Sequence, residues 1–239
     1  MHPHLLPQFR AAPRSISVIA PVNTSSPVIT IDGPAASGKS SVARLVAERL
    51  GYTYVNTGNM YRAMTWAVLD AGIDPASDPA SVATFSASAP IDCTVIDGQT
   101  TITIAGHLLT AEELNSDPVN RTVSHVAAVL EVRNALVAAQ RALQSIGPLV
   151  MEGRDIGSVV FPESPFKYYI DASEQVRSAR RRAQGHADQV AERDRIDSTR
   201  KASPLVIPTG ATVIDNSHLT LDQAVEAVLT SLKSQGLPT

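Results

Sequence analysis

The segment that most limits how this chain can fold is Gly33-Pro34-Ala35-Ala36-Ser37-Gly38-Lys39-Ser40, which satisfies G-x-x-x-x-G-K-[ST]. A shuffled chain of this composition would hold about 0.002 such matches, and this one falls where a phosphate-binding loop has to sit. Val28 to Ile31 is a short β-rich run that stops at Asp32-Gly33-Pro34, and Ser40 to Leu50 carries Val42, Leu45, Val46 and Leu50 on one helical face before Gly51 closes it. Between strand and helix the glycines let the backbone curl until successive N–H groups face an anion, and the helix adds the positive end of its dipole. A second run, Tyr52 to Val55, leads through Asn56-Thr57-Gly58 into a helix expected from near Met60 to Gly72. Two successive β-α units imply a parallel sheet.

The middle of the chain is patterned differently. Ile91 to Ile96 and Thr100 to Ile104 alternate apolar and polar residues about Asp97-Gly98-Gln99, which predicts an antiparallel hairpin. Thr110 with Glu113 makes a capping box, and Val119 to Ile146 is expected to be largely helical until Gly147-Pro148. Leu149 to Met151, Tyr168 to Ile170 and Thr212 to Ile214 supply three more strands. The predicted fold class is α/β: a P-loop parallel sheet of about five strands, flanked by helices and interrupted by a small mixed α/β insert.

Composition narrows the function. With 20 basic against 23 acidic side chains the net charge is -3, far from the basic excess that phosphate neutralisation demands of a nucleic-acid binder. No apolar run approaches the ~18 residues of a membrane span, so neither nucleic acid nor membrane is an expected partner. The single cysteine, Cys93, excludes an intramolecular disulfide and suits a reducing compartment, the cytoplasm by expectation. No exposed apolar stripe is left over, and a monomer is expected. Residues 1–27 hold five of the 16 prolines and no acidic residue, show no structural period, and are expected to form a disordered extension. The six histidines show no zinc spacing and read as surface or structural residues.

A P-loop says nucleotide binding and leaves the reaction open. None of the four lysines lies in the guanine-reading [NT]-K-x-D pattern of a GTPase. The choice between a kinase and a regulatory ATP-binding module falls to the 16 arginines, whose planar forks suit phosphates. Arg62 opens the helix after the second strand, Arg154 and Asp155 follow the strand at Leu149, and Arg193, Asp197 and Arg200 fall at i, i+4 and i+7 on one helical face. Carboxyl ends of parallel strands line the ligand crevice of an open α/β sheet, so Arg62 and Arg154 should converge at the P-loop mouth. A second phosphate site favours a kinase.

The motifs IDGPAASGKS, NTGNMYR, VMEGRDIGSVVFP, IDAS and ERDRIDSTRKASPL resemble those of the bacterial cytidylate kinases, within the nucleoside monophosphate kinases, from about Val28 to the C-terminal helix. The resemblance implies phosphoryl transfer from ATP to CMP, with dCMP as a second acceptor and Mg²⁺ as cofactor. It implies a P-loop kinase domain over 28–239, with a monophosphate-binding insert over about 73–146 and a lid over about 183–192. ATP would be bound by Gly33, Pro34, Ala35, Ala36, Ser37, Gly38, Lys39, Ser40 and Ser41, with the Ser40 hydroxyl on the metal. Ser124, Arg133 and Asp155 would surround the cytosine, and Thr57, where the family has Ser or Thr, would also bind CMP. Arg193 and Asp197 would meet the ribose, and Arg62, Arg154 and Arg200 would hold the acceptor phosphate. Lys39, Arg62, Arg154 and Arg200 would be catalytic. The family usually has a longer lid, since only Ala183 to Glu192 separates Arg182 from Arg193 here; the arginine that covers the donor phosphates is left open among Arg177, Arg180, Arg181 and Arg182. The other readings at this point are a P-loop kinase for UMP, AMP or a small metabolite, and the regulatory module. Two readings of Asp155 also stand, as a base-reading group and as a partner that orients Arg154.

Overall fold

The computed structural model describes residues 26–89, 91–96, 99–104, 106–183, 190–200 and 203–237, with backbone alone for 95, 96, 99 and 190–193. Apart from Ser26 and Pro27 the expected extension lies outside the described residues, as do the Asp97-Gly98 turn and most of the expected lid.

Strand β1 (Val28–Asp32) is buried along its whole length, as its β-branched run requires for a central parallel strand covered on both faces. The P-loop leads into α1 (Lys39–Leu50), then β2 (Thr53–Asn56) and α2 (Thr57–Asp70). Helix α2 starts three residues earlier than the expected Met60, because the Asn56 side chain accepts from the Asn59 N–H at 3.2 Å and caps it. Next come α3 (Pro79–Ser88), β3 (Ile91–Ile96), β4 (Gln99–Ile104), β5 (His107–Leu108), α4 (Ala111–Leu114), α5 (Asp117–Val126) and α6 (Leu130–Ala142). The Thr110–Glu113 capping box forms at α4. The stretch expected to be largely helical from 119 to 146 is so, with a break at Ala127–Val129 and a 3₁₀ turn, Leu143–Ile146, at its end. That break leaves the Ala127 carbonyl free to accept from Arg133 Nη1 at 3.2 Å, which fixes the guanidinium as α6 begins. The chain continues through β6 (Leu149–Gly153), a π-helical turn (Ile156–Val160), β7 (Phe166–Asp171), α7 (Glu174–Ala183), α8 (Val190–Thr199), β8 (Thr212–Asp215) and α9 (Leu221–Ser234).

Five strands run parallel in the order β2-β6-β1-β7-β8. The β3–β4 hairpin is antiparallel, as its alternation predicts, and extends the sheet edge through the single pair Tyr54↔Gln99. Helices α1 and α9 bury Val42, Val46, Val225 and Val228 against Ile29, Ile31, Tyr168 and Ile170 of the sheet. Another core joins Met60, Met64 and Val68 of α2 to Ile102, Val123, Val132 and Leu136. Strand β4 and helices α5 and α6 thus share their interior with the helix that carries Arg62. Register sets Asp32 beside Gly153 and Asn56 beside Glu152, so three strands end together at one rim. Among the described residues no helix is long and apolar enough to cross a membrane.

Candidate functional site

The P-loop is clamped from behind. Arg180 Nη1 and Asn216 Nδ2 both donate to the Ser37 carbonyl, at 3.0 and 2.8 Å, and Arg180 Nη2 donates to the Asn216 carbonyl at 2.8 Å. Ala35 is held on both polar groups: its N–H donates to Asp194 Oδ1 at 3.2 Å, and its carbonyl accepts from Arg177 Nη1 at 3.2 Å. Arg177 also pairs with Asp194. Gly38 has φ +96°, and a Cβ there would stand 2.4 Å from Asn216 Nδ2, so only glycine fits under the clamp. Ala36 adopts φ 57° without being glycine, at a cost of roughly 1–2 kcal/mol. These contacts hold a strained loop open in front of the helix dipole.

In front of the loop lies a cavity of about 530 Å³ lined by Ala35, Ala36, Gly38, Lys39, Ser40, Ser41, Arg62, Arg154, Arg180 and Arg181. A second cavity, about 260 Å³, shares Lys39, Ser40, Arg62 and Arg154 with the first, and adds Thr57, Ser124, Arg133, Glu152, Asp155, Asp197 and Arg200. Two chambers therefore meet across a wall of three cations and one hydroxyl. Of the P-loop residues read from the sequence, Gly33, Pro34 and Ser37 lie behind the cavity surface. Their carbonyls serve as acceptors, for Arg154 Nη1 at 2.9 Å, Lys39 Nζ at 3.3 Å and the clamp respectively.

Every acceptor-side residue named from the sequence lines the second chamber except Arg193, whose side chain lies outside the described residues. Asp197 sits at the centre of this group. It accepts from Arg154 Nε at 2.9 Å and from Ser124 Oγ at 3.4 Å, and lies 3.7 Å from Arg200 Nη1. Arg200 falls one residue past the end of α8 and still faces Asp197. Arg62 is held by Asn115 Oδ1 at 2.6 Å, and Thr57 Oγ1 donates to the Glu152 carbonyl at 2.8 Å. Burial works against the Arg154 charge, yet Asp197, by charge and by hydrogen bond, with Asp194 and Glu152, raises its pKa overall. Arg200 is shifted down, by burial first. Among the described residues, buried Arg133 Nε and Arg200 Nη2 have no hydrogen-bond partner.

Asp155 pairs with Arg133, not with Arg154. The idea that Asp155 orients Arg154 is thereby corrected: the Arg154 side chain is held by Asp197 and the Gly33 carbonyl. Arg133 is 2% exposed and lies 5.4 Å from the centre of the Tyr61 ring, so carboxylate and guanidinium are presented as one rigid edge.

Three contributors escaped the sequence reading. Glu152, buried at the end of β6, has Oε2 3.9 Å from Lys39 Nζ and accepts from the Tyr54 hydroxyl at 3.3 Å. Asp32, buried at the end of β1, accepts from the Ile156 and Gly157 N–H groups at 2.8 and 2.7 Å. Burial pushes its carboxyl up to about 7 against those two hydrogen bonds. Asn216 follows β8. All three are polar residues closing short apolar strands, and the rule that ligands gather at carboxyl ends of parallel strands would have flagged them. Among the described residues no group of three or more His, Cys, Asp or Glu side chains could hold a metal unaided.

Residues 29–234 match the sequence profile of the cytidylate kinase family. The chain is 41% identical to a cytidylate kinase from Pelotomaculum thermopropionicum over 217 residues, 86% of this chain and 95% of that protein. It is 41% identical to a cytidylate kinase from Bdellovibrio bacteriovorus over 216 residues, 87% of this chain and 98% of the other. A bifunctional pantoate ligase/cytidylate kinase from Synechococcus sp. is 40% identical over 220 residues, and there the match spans only 44% of the relative's length.

Proposed function

The chain belongs to the cytidylate kinase family, and from that premise we propose that it transfers the terminal phosphoryl group of ATP to CMP, releasing ADP and CDP. The observation that carries this reading is the shared wall of the two chambers, where Lys39, Arg62 and Arg154 stand between the P-loop and the acceptor residues. An oxygen of the CMP phosphate attacks the γ-phosphorus, and the bond to the β,γ-bridging oxygen breaks in line with it. With a second pKa of about 6, a phosphate monoester is already largely dianionic at neutral pH and needs no general base. The barrier is the approach of two anions, and the three cations lower it by neutralising and orienting both.

Residue roles follow the chambers. The P-loop amides, Lys39 and Ser41 hold the donor phosphates; of the four arginines left open by the sequence only Arg180 and Arg181 line the same chamber, and with Arg180 committed to the clamp Arg181 is the cation proposed to cover them. Arg62, Arg154 and Arg200 grip the acceptor phosphate. Asp197 and Arg193 serve the ribose, Ser124, Arg133 and Asp155 read the base, and Thr57 lines the same chamber. dCMP, which the resemblance to the family implies as the second acceptor, differs from CMP only at the 2′-hydroxyl and would keep the base and phosphate contacts. Ser40, which lines both chambers, would hold Mg²⁺ through its hydroxyl, and buried Glu152 lines the acceptor chamber with it. With so few protein ligands nearby the ion would take its remaining oxygens from the nucleotide phosphates. When bound, the metal supplies charge neutralisation on the transferring phosphoryl group.

One chain supplies every contact named, and a monomer is the proposed acting unit. Burial pushes the thiol of the lone Cys93 up to about 11, which suits an unreactive side chain in the cytoplasm. A coupled assay of ADP release, run with CMP, dCMP, UMP and AMP as acceptors, tests the reading. CMP and dCMP should support turnover well above UMP and AMP; no turnover with CMP, or a higher kcat/KM with AMP, would overturn it.

A further inference from the structure

We propose that Asp32 is a positioning residue for the acceptor site: although it adjoins the donor loop in sequence, its carboxylate fixes the backbone that carries Arg154 and Asp155. Asp32 is fully buried and lines neither chamber, so it reaches substrate only through what it holds. Its two oxygens accept from consecutive amides, Ile156 at 2.8 Å and Gly157 at 2.7 Å, immediately after Asp155. Gly157 makes this approach possible, because a Cβ there would lie 2.8 Å from Thr30 Oγ1 and 3.3 Å from Asp32 Oδ2. The next residue in sequence, Gly33, offers its carbonyl to Arg154 Nη1 at 2.9 Å. The end of β1 therefore grips the Arg154–Asp155 pair from both sides.

The far end of the same π-helical turn is held by opposite charge. Arg141 donates from Nε to the Val160 carbonyl at 2.9 Å and from Nη2 to the Val159 carbonyl at 2.7 Å. A carboxylate on the free amides and a guanidinium on the free carbonyls oppose the partial charges of the turn. Arg141 shares α6 with Arg133, the partner of Asp155. The base-reading carboxylate is thus pinned by its own ion pair, by Asp32 before the turn and by Arg141 after it. The register Asp32↔Gly153 explains how so short a side chain spans two strands: the strands exit together, and the following amides fold back over β1.

The inference rests on the proposed assignment of Arg154 and Asp155 to CMP, and the experiment separates the two. In Asp32→Asn the shape is kept, but one amide then faces an –NH₂ group, so an acceptor is lost and two donors oppose each other. At pH 8, where the Asp32 carboxyl is ionised, losing one of its two accepted amide hydrogen bonds should raise KM for CMP about tenfold or more. KM for ATP should stay within about twofold of wild type, because the P-loop clamp does not use the Asp32 side chain. An equal rise in both KM values, or none in that for CMP, overturns the proposal. The second readout is substrate-free: amide hydrogen exchange at Ile156 and Gly157 should accelerate at least about 100-fold in the variant, with Val42 and Val46 of α1 unchanged. Unaltered exchange at 156 and 157 overturns the proposal whatever the substrate proves to be, while failure of wild type to use CMP overturns only the substrate assignment. If Asp32→Asn does not fold, Arg141→Met decides. It should raise KM for CMP about threefold and leave KM for ATP alone, and an unchanged KM for CMP would then count against the proposal.

Discussion

Asp155→Ala removes the carboxylate that faces Arg133, a guanidinium only 2% exposed, and leaves that cation with the Ala127 carbonyl at 3.2 Å and the Tyr61 ring. Stripping a buried ion pair of one partner costs about 3–5 kcal/mol. Both residues line the acceptor chamber, so water can reach the stranded charge and the lower figure, about 3 kcal/mol, applies. For a domain of this size each kcal/mol lowers Tm by about 2–4 °C, giving an expected fall of about 6–12 °C by scanning calorimetry. Adding Arg133→Met should return the protein to within about 1 kcal/mol of wild type, since an apolar pair of similar volume replaces a buried ionic one at little cost. If the double variant instead loses the sum of the two singles, the residues are not coupled and the geometry has been misread. The same pair predicts selectivity. Cytosine offers its N4 amino group to a carboxylate and its N3 and O2 acceptors to a guanidinium, while uracil inverts O4 and N3. At about 1–3 kcal/mol per unmatched group, Asp155→Asn should shrink the CMP:UMP ratio of kcat/KM at least about tenfold. A folded Asp155→Asn variant with an unchanged ratio would refute the base-reading role.

Lys39→Ala should cut kcat by about 100-fold or more with Tm nearly unchanged if, as proposed, Lys39 acts on charge that develops in the transfer; near-normal turnover would remove it from the mechanism. Gly38→Ala drives a Cβ to within 2.4 Å of Asn216 Nδ2 and should raise KM for ATP more than KM for CMP, with the reverse order refuting the clamp. The Asp32 carboxyl, raised by burial from 3.8 to about 7, binds its proton more tightly in the folded chain than in the unfolded one. Its contribution is therefore complete below about pH 4 and is lost as pH rises through 7. Urea unfolding of Asp32→Asn relative to wild type should become about 3 kcal/mol more favourable to the variant between pH 5 and pH 8, and a pH-independent difference would mean that Asp32 keeps an ordinary pKa.

The P-loop, the parallel sheet and every charged residue lining the cleft except Glu152 were legible in the sequence. These are local matters, since β-branched runs make buried strands, glycine permits the curled loop, and polar residues after short strands collect at one rim of a parallel sheet. The sequence also determined the hairpin, whose alternation about Asp97-Gly98 has no helical counterpart. Which charges pair was not legible there. Asp155 follows Arg154 in the chain, yet its partner is Arg133, 22 residues earlier, while Arg154 turns to Asp197, 43 residues later. Sequence spacing cannot rank such partners, because the choice depends on which groups share a buried volume once the helices have packed. The break between α5 and α6 belongs with these, since a helix period continues through Ala127–Val129 and the bond from Arg133 to the Ala127 carbonyl exists only in the folded cleft. Asp32 is the sharpest case. In the sequence it reads as the end of a strand and the start of a donor loop, but strand register turns its carboxylate toward the acceptor side. Register is a property of two strands, and one strand's sequence does not contain it.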